Sequence, residues 1–285
     1  MYVVTAATGQ LGRLVVRHLL DRVPADRVAV VVRDPAKAAD LADRGVAIRT
    51  ADHDDAESLV GVFGPGDRVL LVSGNEFGIR VAQHAAVVDA AKAAGVALLA
   101  YTGILGGPNT RFLVADDHHV TERLIQDSGV PYTFLRNGWY TENYTARLPG
   151  VPAGGTILGS AAPDSRLATA ARTDYAEAAA IVLTGPGHEY ATYELAGDTA
   201  WTLAEYADVV TRLSGTPVAY RALPAAEYAR ALRAAGLPEP MIPVFADTEA
   251  AIARGELATT TGHLADLLGR PTTPLADSVT AALNP

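Results

Sequence analysis

Cysteine is absent from all 285 residues, which rules out a disulfide framework, thiol catalysis and any zinc–thiolate centre. Lysine is nearly absent too, occurring only at Lys37 and Lys92. Basic charge as a whole is in deficit: 23 Lys and Arg face 32 Asp and Glu, a formal net charge of −9. A phosphate backbone needs a basic face, so nucleic acid is not expected as a partner. No apolar run approaches the roughly 18 residues that a membrane span requires. No signal segment precedes the first apolar run, so a cytoplasmic protein without a membrane partner is expected. The nucleophile elbow G-x-S-x-G and the Walker P-loop are both missing. What is plentiful is apolar side chain, 49% of the chain, enough for one large α/β core or one core with a small appended lobe.

The start of the chain is the most informative stretch. Val3 and Val4 form a short β-branched run that breaks into Ala6-Ala7-Thr8-Gly9, and a helix-period apolar pattern (Leu11, Leu14, Val15, Leu19) follows at once. This is the strand–turn–helix opening of a dinucleotide-binding unit, in which backbone N–H groups and a helix N-terminus meet a pyrophosphate. The glycines follow the three-apart spacing, with Gly9 and Gly12 present and Ala6 in the first slot. Ala6 is expected to hold a negative φ, which leaves Gly9 as the position where a side chain would block the phosphate.

The second strand ends in the residues that choose the cofactor. Residues 28–32 are continuously apolar, as in a parallel strand buried on both faces, and Arg33-Asp34-Pro35-Ala36-Lys37 follows. About twenty positions past the last glycine an acid normally bonds the ribose 2′-hydroxyl and favours NAD. Here the residue is Arg33, whose guanidinium can pair bidentately with a 2′-phosphate and lie flat on adenine. Asp34 before Pro35 reads as a helix N-cap, so its carboxylate is used locally. Lys37 adds a second positive charge, and together they favour NADPH over NADH.

The first half alternates strands and helices. Strands are expected at 3–5, 28–32, 46–49, 69–72, 98–102 and 133–135, and helices at 11–22, 35–43, 56–63, 79–94 and 115–126. Right-handed crossovers make this an α/β, Rossmann-like, doubly wound parallel sheet that binds its ligand at the carboxyl ends of the strands. Past Pro149 the texture shifts to shorter elements: a helix at 174–183, a strand at 190–196, a helix opening on Thr202-Leu-Ala-Glu205 with capping-box spacing, and helices at 225–235, 244–254 and 275–283. The expected division is a nucleotide-binding domain over 1–150 and a smaller, mostly helical, substrate-covering lobe over 151–285, intertwined with it.

Several longer stretches resemble one family. Thr8-Gly-Gln-Leu-Gly12, Val32-Arg-Asp-Pro-Ala-Lys37, Ala91-Lys-Ala-Ala-Gly-Val96, Ala100-Tyr-Thr102, Leu135-Arg-Asn-Gly-Trp-Tyr-Thr-Glu-Asn-Tyr144, Arg172-Thr-Asp-Tyr175 and Tyr193-Glu-Leu-Ala-Gly-Asp198 are similar to the NmrA-like atypical short-chain dehydrogenase/reductases. Within that group the likeness is to the NAD(P)H:quinone oxidoreductase type 2 subfamily, with triphenylmethane reductase as a near relative. The resemblance implies that Thr8, Gly9, Gln10, Leu11 and Gly12 hold the NADPH pyrophosphate and Arg33 the 2′-phosphate. It implies further that Ser73, Gly74 and Asn75 pass along the cofactor beside Thr102. It places Asn137, Gly138, Trp139 and Tyr140 by the nicotinamide, and Arg172 where the second lobe closes. Three positions depart from the family pattern: Ala6 for glycine, Ser73-Gly-Asn-Glu76 for a serine run, and Gly103 for serine.

The scarcity of lysine now bears on mechanism. A typical short-chain dehydrogenase donates a proton through a tyrosine with lysine four residues on, and none of the 11 tyrosines has lysine there. The nearest imitation, Tyr132 with Arg136, fails because arginine stays charged. A ketone reduced to a basic alkoxide needs a placed acid, whereas a quinone yields a delocalised anion that water protonates. Direct hydride transfer from NADPH to quinones or similar conjugated acceptors is therefore expected, with Tyr140, His118 and Asn137 nearest the chemistry and Phe77, Trp139 and Tyr140 as aromatic walls. The alternative is a non-catalytic NADP(H)-binding sensor of the NmrA-like type. Asp116-Asp117-His118-His119 reads as the polar start of a helix rather than a metal site. A monomer or homodimer is expected.

Overall fold

The computed structural model describes residues 1–74, 76, 78–148 and 155–284. They divide into a first unit (1–107, 116–137, 172–195) and a second (108–115, 138–171, 196–285).

The first unit is built on strands β1 (Tyr2–Thr5), β2 (Val28–Val32), β3 (Ala47–Thr50), β4 (Arg68–Leu71), β5 (Leu98–Ile104) and β6 (Tyr132–Asn137). In the second unit lie β7 (Thr156–Gly159), β8 (Arg166–Leu167), β10 (Trp201–Thr202) and β11 (Ala219–Ala222), while β9 (Ala191–Leu195) returns to the first. The main sheet has seven strands in the order β3-β2-β1-β4-β5-β6-β9, every pairing parallel. This is the expected doubly wound arrangement. Because all strands run one way, the loops after β1, β2, β3 and β4 leave from one edge of the sheet. All five residues of β2 are buried, which explains the unbroken valine-rich run.

Helices α1 (Gln10–Leu20), α2 (Ala39–Asp43), α3 (Arg80–Ala94), α4 (Ala115–Ser128) and α6 (Arg172–Thr184) accompany the sheet. The α1 and α6 helices meet through His18 Nε2 and the Thr173 hydroxyl, 2.9 Å apart. Two expected helices differ. The 35–43 stretch divides into a 3₁₀ turn, Pro35–Ala38, and the short α2. The 56–63 stretch is a series of turns. There the Ser58 hydroxyl accepts from Asp52 N–H and reaches the Asp52 and Asp55 carbonyls, and this local competition, with Gly61 at φ +74°, replaces a helical ladder.

The second unit carries α5 (Glu142–Thr145), α7 (Leu203–Ser214), α8 (Ala225–Ala234), α9 (Ile242–Ala253), α10 (His263–Leu268) and α11 (Leu275–Leu283). Its strands form two small pairs, β7 with β11 in parallel and β8 with β10 antiparallel. The α7 helix opens on the expected capping box: Thr202 Oγ1 accepts from Glu205 N–H at 3.0 Å and Glu205 accepts from Thr202 N–H at 2.8 Å. Among the described residues no helix is long and apolar enough to cross a membrane.

Candidate functional site

The turn after β1 sets up an anion site. Gly9 N–H closes it on the Ala6 carbonyl at 3.0 Å. The α1 helix then begins with Gly9 as N-cap, with no capping side chain and no acid in the first turn. Its first N–H groups are thus left to water or a ligand, at the positive end of the helix dipole. One expectation is corrected here: Ala6 sits at φ +48°, in the left-handed region, because the chain must reverse within one tight turn. That conformation costs an alanine about 1–2 kcal/mol, and glycine is the usual residue for this reason. Gly12 is the sterically demanding position. A Cβ there would lie 2.5 Å from the Ala6 carbonyl oxygen and 2.8 Å from Ala7 Cα, so the close approach of helix to strand requires glycine. At Gly9 the nearest atom would be 3.2 Å away.

After β2, Asp34 Oδ1 accepts from Ala36 N–H at 3.0 Å, the local use expected of it. Arg13 donates to the Lys37 carbonyl and to Asp40, at 2.6 and 2.7 Å, fixing the turn that carries Lys37. Arg33 is 62% exposed and its Nη1 lies 3.7 Å from Glu76 Oε1. Glu76 in turn accepts from Gln83 at 3.0 Å.

The segment after β4 is held by three side chains from three elements. Val72 N–H donates to Thr5 Oγ1 at 3.1 Å, Ser73 N–H to Thr102 Oγ1 at 2.8 Å, and Gly74 N–H to His84 Nε2 at 3.2 Å. Since Nε2 accepts, Nδ1 carries the proton and donates to Thr121 Oγ1 at 2.9 Å, which itself donates to the Asp117 carbonyl. Burial holds the His84 pKa down to about 3, helped by the nearby Arg80 charge, so the ring stays neutral and the relay keeps one sense.

These loops enclose a cavity of about 280 Å³. Ala6, Thr8 and Gly9 line it from the β1 turn, Arg33, Asp34 and Lys37 from the β2 turn, Ala51, Asp52 and His53 from beyond β3, and Gly74, Glu76 and Gln83 from the far side. The structure thus brings together five sequence candidates: Thr8, Gly9, Arg33, Lys37 and Gly74. Asp52, His53 and Glu76 escaped prediction by residue, their only signal being their place beyond strand ends, and Gln83, within α3, carried no signal. Burial lowers the His53 pKa.

The remaining candidates fall elsewhere. Gln10 is exposed at the start of α1 and Leu11 is buried. Ser73 and Thr102 bond each other as described. Asn137 ends β6, its carbonyl accepting from Leu105 N–H at 3.0 Å, and Arg172 opens α6 in the first unit. Asn75 and Phe77 lie outside the described residues. His118 is buried; its Nδ1 is 2.7 Å from the Tyr101 hydroxyl and its Nε2 3.5 Å from Arg80. Burial brings its pKa down to about 3. Among the described residues no group of three or more His, Asp or Glu could hold a metal. Arg136 is clamped by Glu122 at 2.8 and 2.6 Å and by Glu194 at 2.8 Å. That clamp also accounts for Gly103, where a Cβ would stand 3.1 Å from Glu122 Oε1.

Gly138, Trp139 and Tyr140 belong to the second unit. Tyr140 bridges Ala170 through its backbone, and Trp139 meets Phe112 and Phe245 edge-on at 5.6 and 6.4 Å. Trp139 lines a second cavity of about 200 Å³ in this unit.

The first-unit cavity fits a nicotinamide dinucleotide phosphate. It offers an uncapped helix N-terminus to a pyrophosphate, backbone unobstructed by a side chain at Gly9, and two cations, Arg33 and Lys37, for a further phosphate. A family model described as NAD(P)H-binding matches residues 6–186. Quinone oxidoreductase 2 of Escherichia coli (strain K12) is 44% identical over 284 residues, 100% of this chain and 99% of the relative. The solved NADPH-dependent quinone oxidoreductase from Escherichia coli, complexed with NADPH, superposes with a TM-score of 0.95, both chains covered in full. The triphenylmethane reductase of Citrobacter sp., complexed with NADP(H), is 37% identical with a TM-score of 0.94, over 99% of this chain and 100% of its own.

Proposed function

This chain belongs to the NAD(P)H-binding family, and from that premise we propose that it reduces quinones with NADPH by direct hydride transfer. One observation carries the reading: a full-length likeness to a quinone oxidoreductase solved with NADPH falls on a chain whose own cavity presents Arg33 and Lys37 beside the open end of α1. When bound, the nicotinamide supplies the hydride, so that NADPH, a quinone and a solvent proton give NADP⁺ and a hydroquinone.

The residues of the chain bind and orient. The N–H groups of the Thr8–Gly12 turn take the pyrophosphate and Arg33 with Lys37 the 2′-phosphate. Thr5, Thr102 and His84 act as positioning residues that hold the Val72–Gly74 backbone in place. His118, neutral and bonded within the α3, α4 and β5 interior, is given a positioning role in place of proton donation. The assignments of residues 137–140 to the acceptor end, and of Arg172 to closure, rest on the family resemblance. A cytoplasmic monomer or homodimer, acting without nucleic acid, completes the reading and is consistent with the net charge of −9.

Steady-state oxidation of NADPH and NADH with and without a simple benzoquinone tests the proposal. Quinone-dependent turnover favouring NADPH is expected. Tight NADPH binding with no acceptor-dependent oxidation would restore the sensor alternative.

A further inference from the structure

We propose that Arg80 is a positioning residue for the cofactor segment: a buried cation that fixes the order of protons along a network ending at the Gly74 N–H. This rests on the reading of the first-unit cavity as the NADPH site. It places control of that site in side chains that do not line the cavity.

Arg80 opens α3 and is 3% exposed. Its Nη1 lies 3.5 Å from His118 Nε2 and 3.8 Å from Asp117 Oδ2. A guanidinium offers donors alone and keeps its charge. The His118 nitrogen that faces it therefore presents a lone pair, and the His118 proton sits on Nδ1. From there it is donated to the Tyr101 hydroxyl at 2.7 Å. The Tyr101 hydroxyl, having accepted, gives its own proton to Thr121 Oγ1. Thr121 donates to the Asp117 carbonyl at 2.8 Å, so toward Tyr101 and His84 it can only accept. His84 Nδ1 then carries the proton that reaches Thr121 at 2.9 Å, and Nε2 is left to accept from Gly74 N–H at 3.2 Å. Arg80, His118, Tyr101, Thr121 and His84 are all buried, where an unpaired polar atom is costly. One fixed charge thus orders every proton along the chain.

Without that charge the order is degenerate. Tyr101 can donate to His118 and Thr121 to His84, which turns an N–H of His84 against the N–H of Gly74. The charge also keeps the rings neutral: burial and Arg80 together hold His84 and His118 at about 3. The other groups facing the network are His53 from beyond β3, Tyr101 on β5, and Asp117, His119 and Glu122 on α4. Glu122 is committed to Arg136. With Arg80 removed, Asp117 is left facing the rings and favours their protonation.

The test takes two readings on the full chain. Long-range proton–nitrogen NMR of the cofactor-free protein reports which nitrogen of each ring holds the proton, with His84→Gln and His118→Gln as assignments. Both rings are expected neutral and protonated on Nδ1 from about pH 8 to about pH 5.5, the range in which an ordinary histidine titrates. Arg80→Met, which removes the charge and keeps a long apolar side chain, should shift His118 toward Nε2 protonation and let at least one ring titrate. The second reading is NADP⁺ affinity by calorimetry, as the ratio of variant to wild-type Kd, so that titration of the 2′-phosphate cancels. For Arg80→Met this ratio should rise roughly tenfold as pH falls across the range, the scale of one buried hydrogen bond lost. Arg80→Lys keeps a charged donor, and its ratio should stay flat. Adding Arg80→Met to His84→Gln, whose amide oxygen accepts from Gly74 at every pH, should give a flat ratio against His84→Gln alone. A packing role would weaken binding equally at all pH. Such a flat loss in Arg80→Met, or Nε2 protonation of either ring in the wild-type spectrum, would overturn the proposal. The wild-type spectrum decides even where Arg80→Met does not fold. Absence of NADP⁺ binding to the wild type, beside the expected tautomers, would leave the proton order standing and overturn the cofactor reading instead.

Discussion

The two cavities are made in opposite ways. In the first unit the surface offered to a ligand is largely backbone and strand end: the Gly9 turn, the open N-terminus of α1, and the Val72–Gly74 segment pinned by Thr5, Thr102 and His84. In the second unit the surface is side chain, aromatic rings from α5, α7, α8 and α9 around one carboxylate. A site made of backbone is fixed by topology and tolerates most substitutions, provided no Cβ enters the close approaches. A site made of side chains can be retuned residue by residue.

Substitutions in the first unit should therefore break cofactor binding in an all-or-none or charge-specific way. The largest effect is expected at Gly9. Its added Cβ would start 3.2 Å from the Ala6 carbonyl, and the branches of Gly9→Val would fill the phosphate position, so NADPH binding should be abolished while thermal melting stays near wild type. Next comes Arg33→Ala, which should weaken NADPH by about 1–3 kcal/mol and NADH far less; equal losses in parallel titrations would remove Arg33 from the 2′-phosphate. Tyr140→Phe should leave most quinone reduction intact, with a loss in kcat below the roughly 10²–10⁴-fold that accompanies removal of a general acid.

Acid sensitivity should come from the buried histidines of the first unit. His84 and His118 fall from an ordinary 6.5 to about 3, so between those values the unfolded chain binds more protons than the folded one. Their contribution is complete above the unfolded value and is lost as pH falls through this window. The melting temperature should drop by several degrees from neutral to mid-acid pH, and His84→Gln, which does not titrate, should flatten part of that drop. The smallest effect is expected from Glu76→Gln. Its carboxylate lies 3.7 Å from an exposed Arg33, a pair worth about 0–1 kcal/mol. Releasing Arg33 should tighten NADPH by no more than about fivefold.

The contrast also explains what could be read from the sequence. The valine run of β2, the capping box before α7 and the 275–283 helix follow from local patterns, and each forms where expected. Thr8, Gly9, Arg33 and Lys37 were legible because glycine spacing and charge after a strand mark the cofactor edge of a parallel sheet. Ala6 misled, because nothing local signals that an alanine will be driven to positive φ. Thr102 was placed beside Ser73 and Gly74 by the family resemblance, but the tethering of residues 72–74 by Thr5 and His84 was hidden, since these come from a distant strand and a helix and look like ordinary core residues. The helix expected at 56–63 gave way to turns under the Ser58 hydroxyl and the positive φ of Gly61.

The most direct test of the central claim is a single-turnover experiment with NADPH deuterated at the transferring position of the nicotinamide. Enzyme loaded with this cofactor is mixed with excess benzoquinone while cofactor absorbance is followed. The account expects quinone-dependent oxidation in one phase, slowed by a primary isotope effect relative to unlabelled NADPH, with no slow phase from a covalent enzyme intermediate. Cofactor absorbance that is unchanged by quinone, on a protein that binds NADPH tightly, would contradict it.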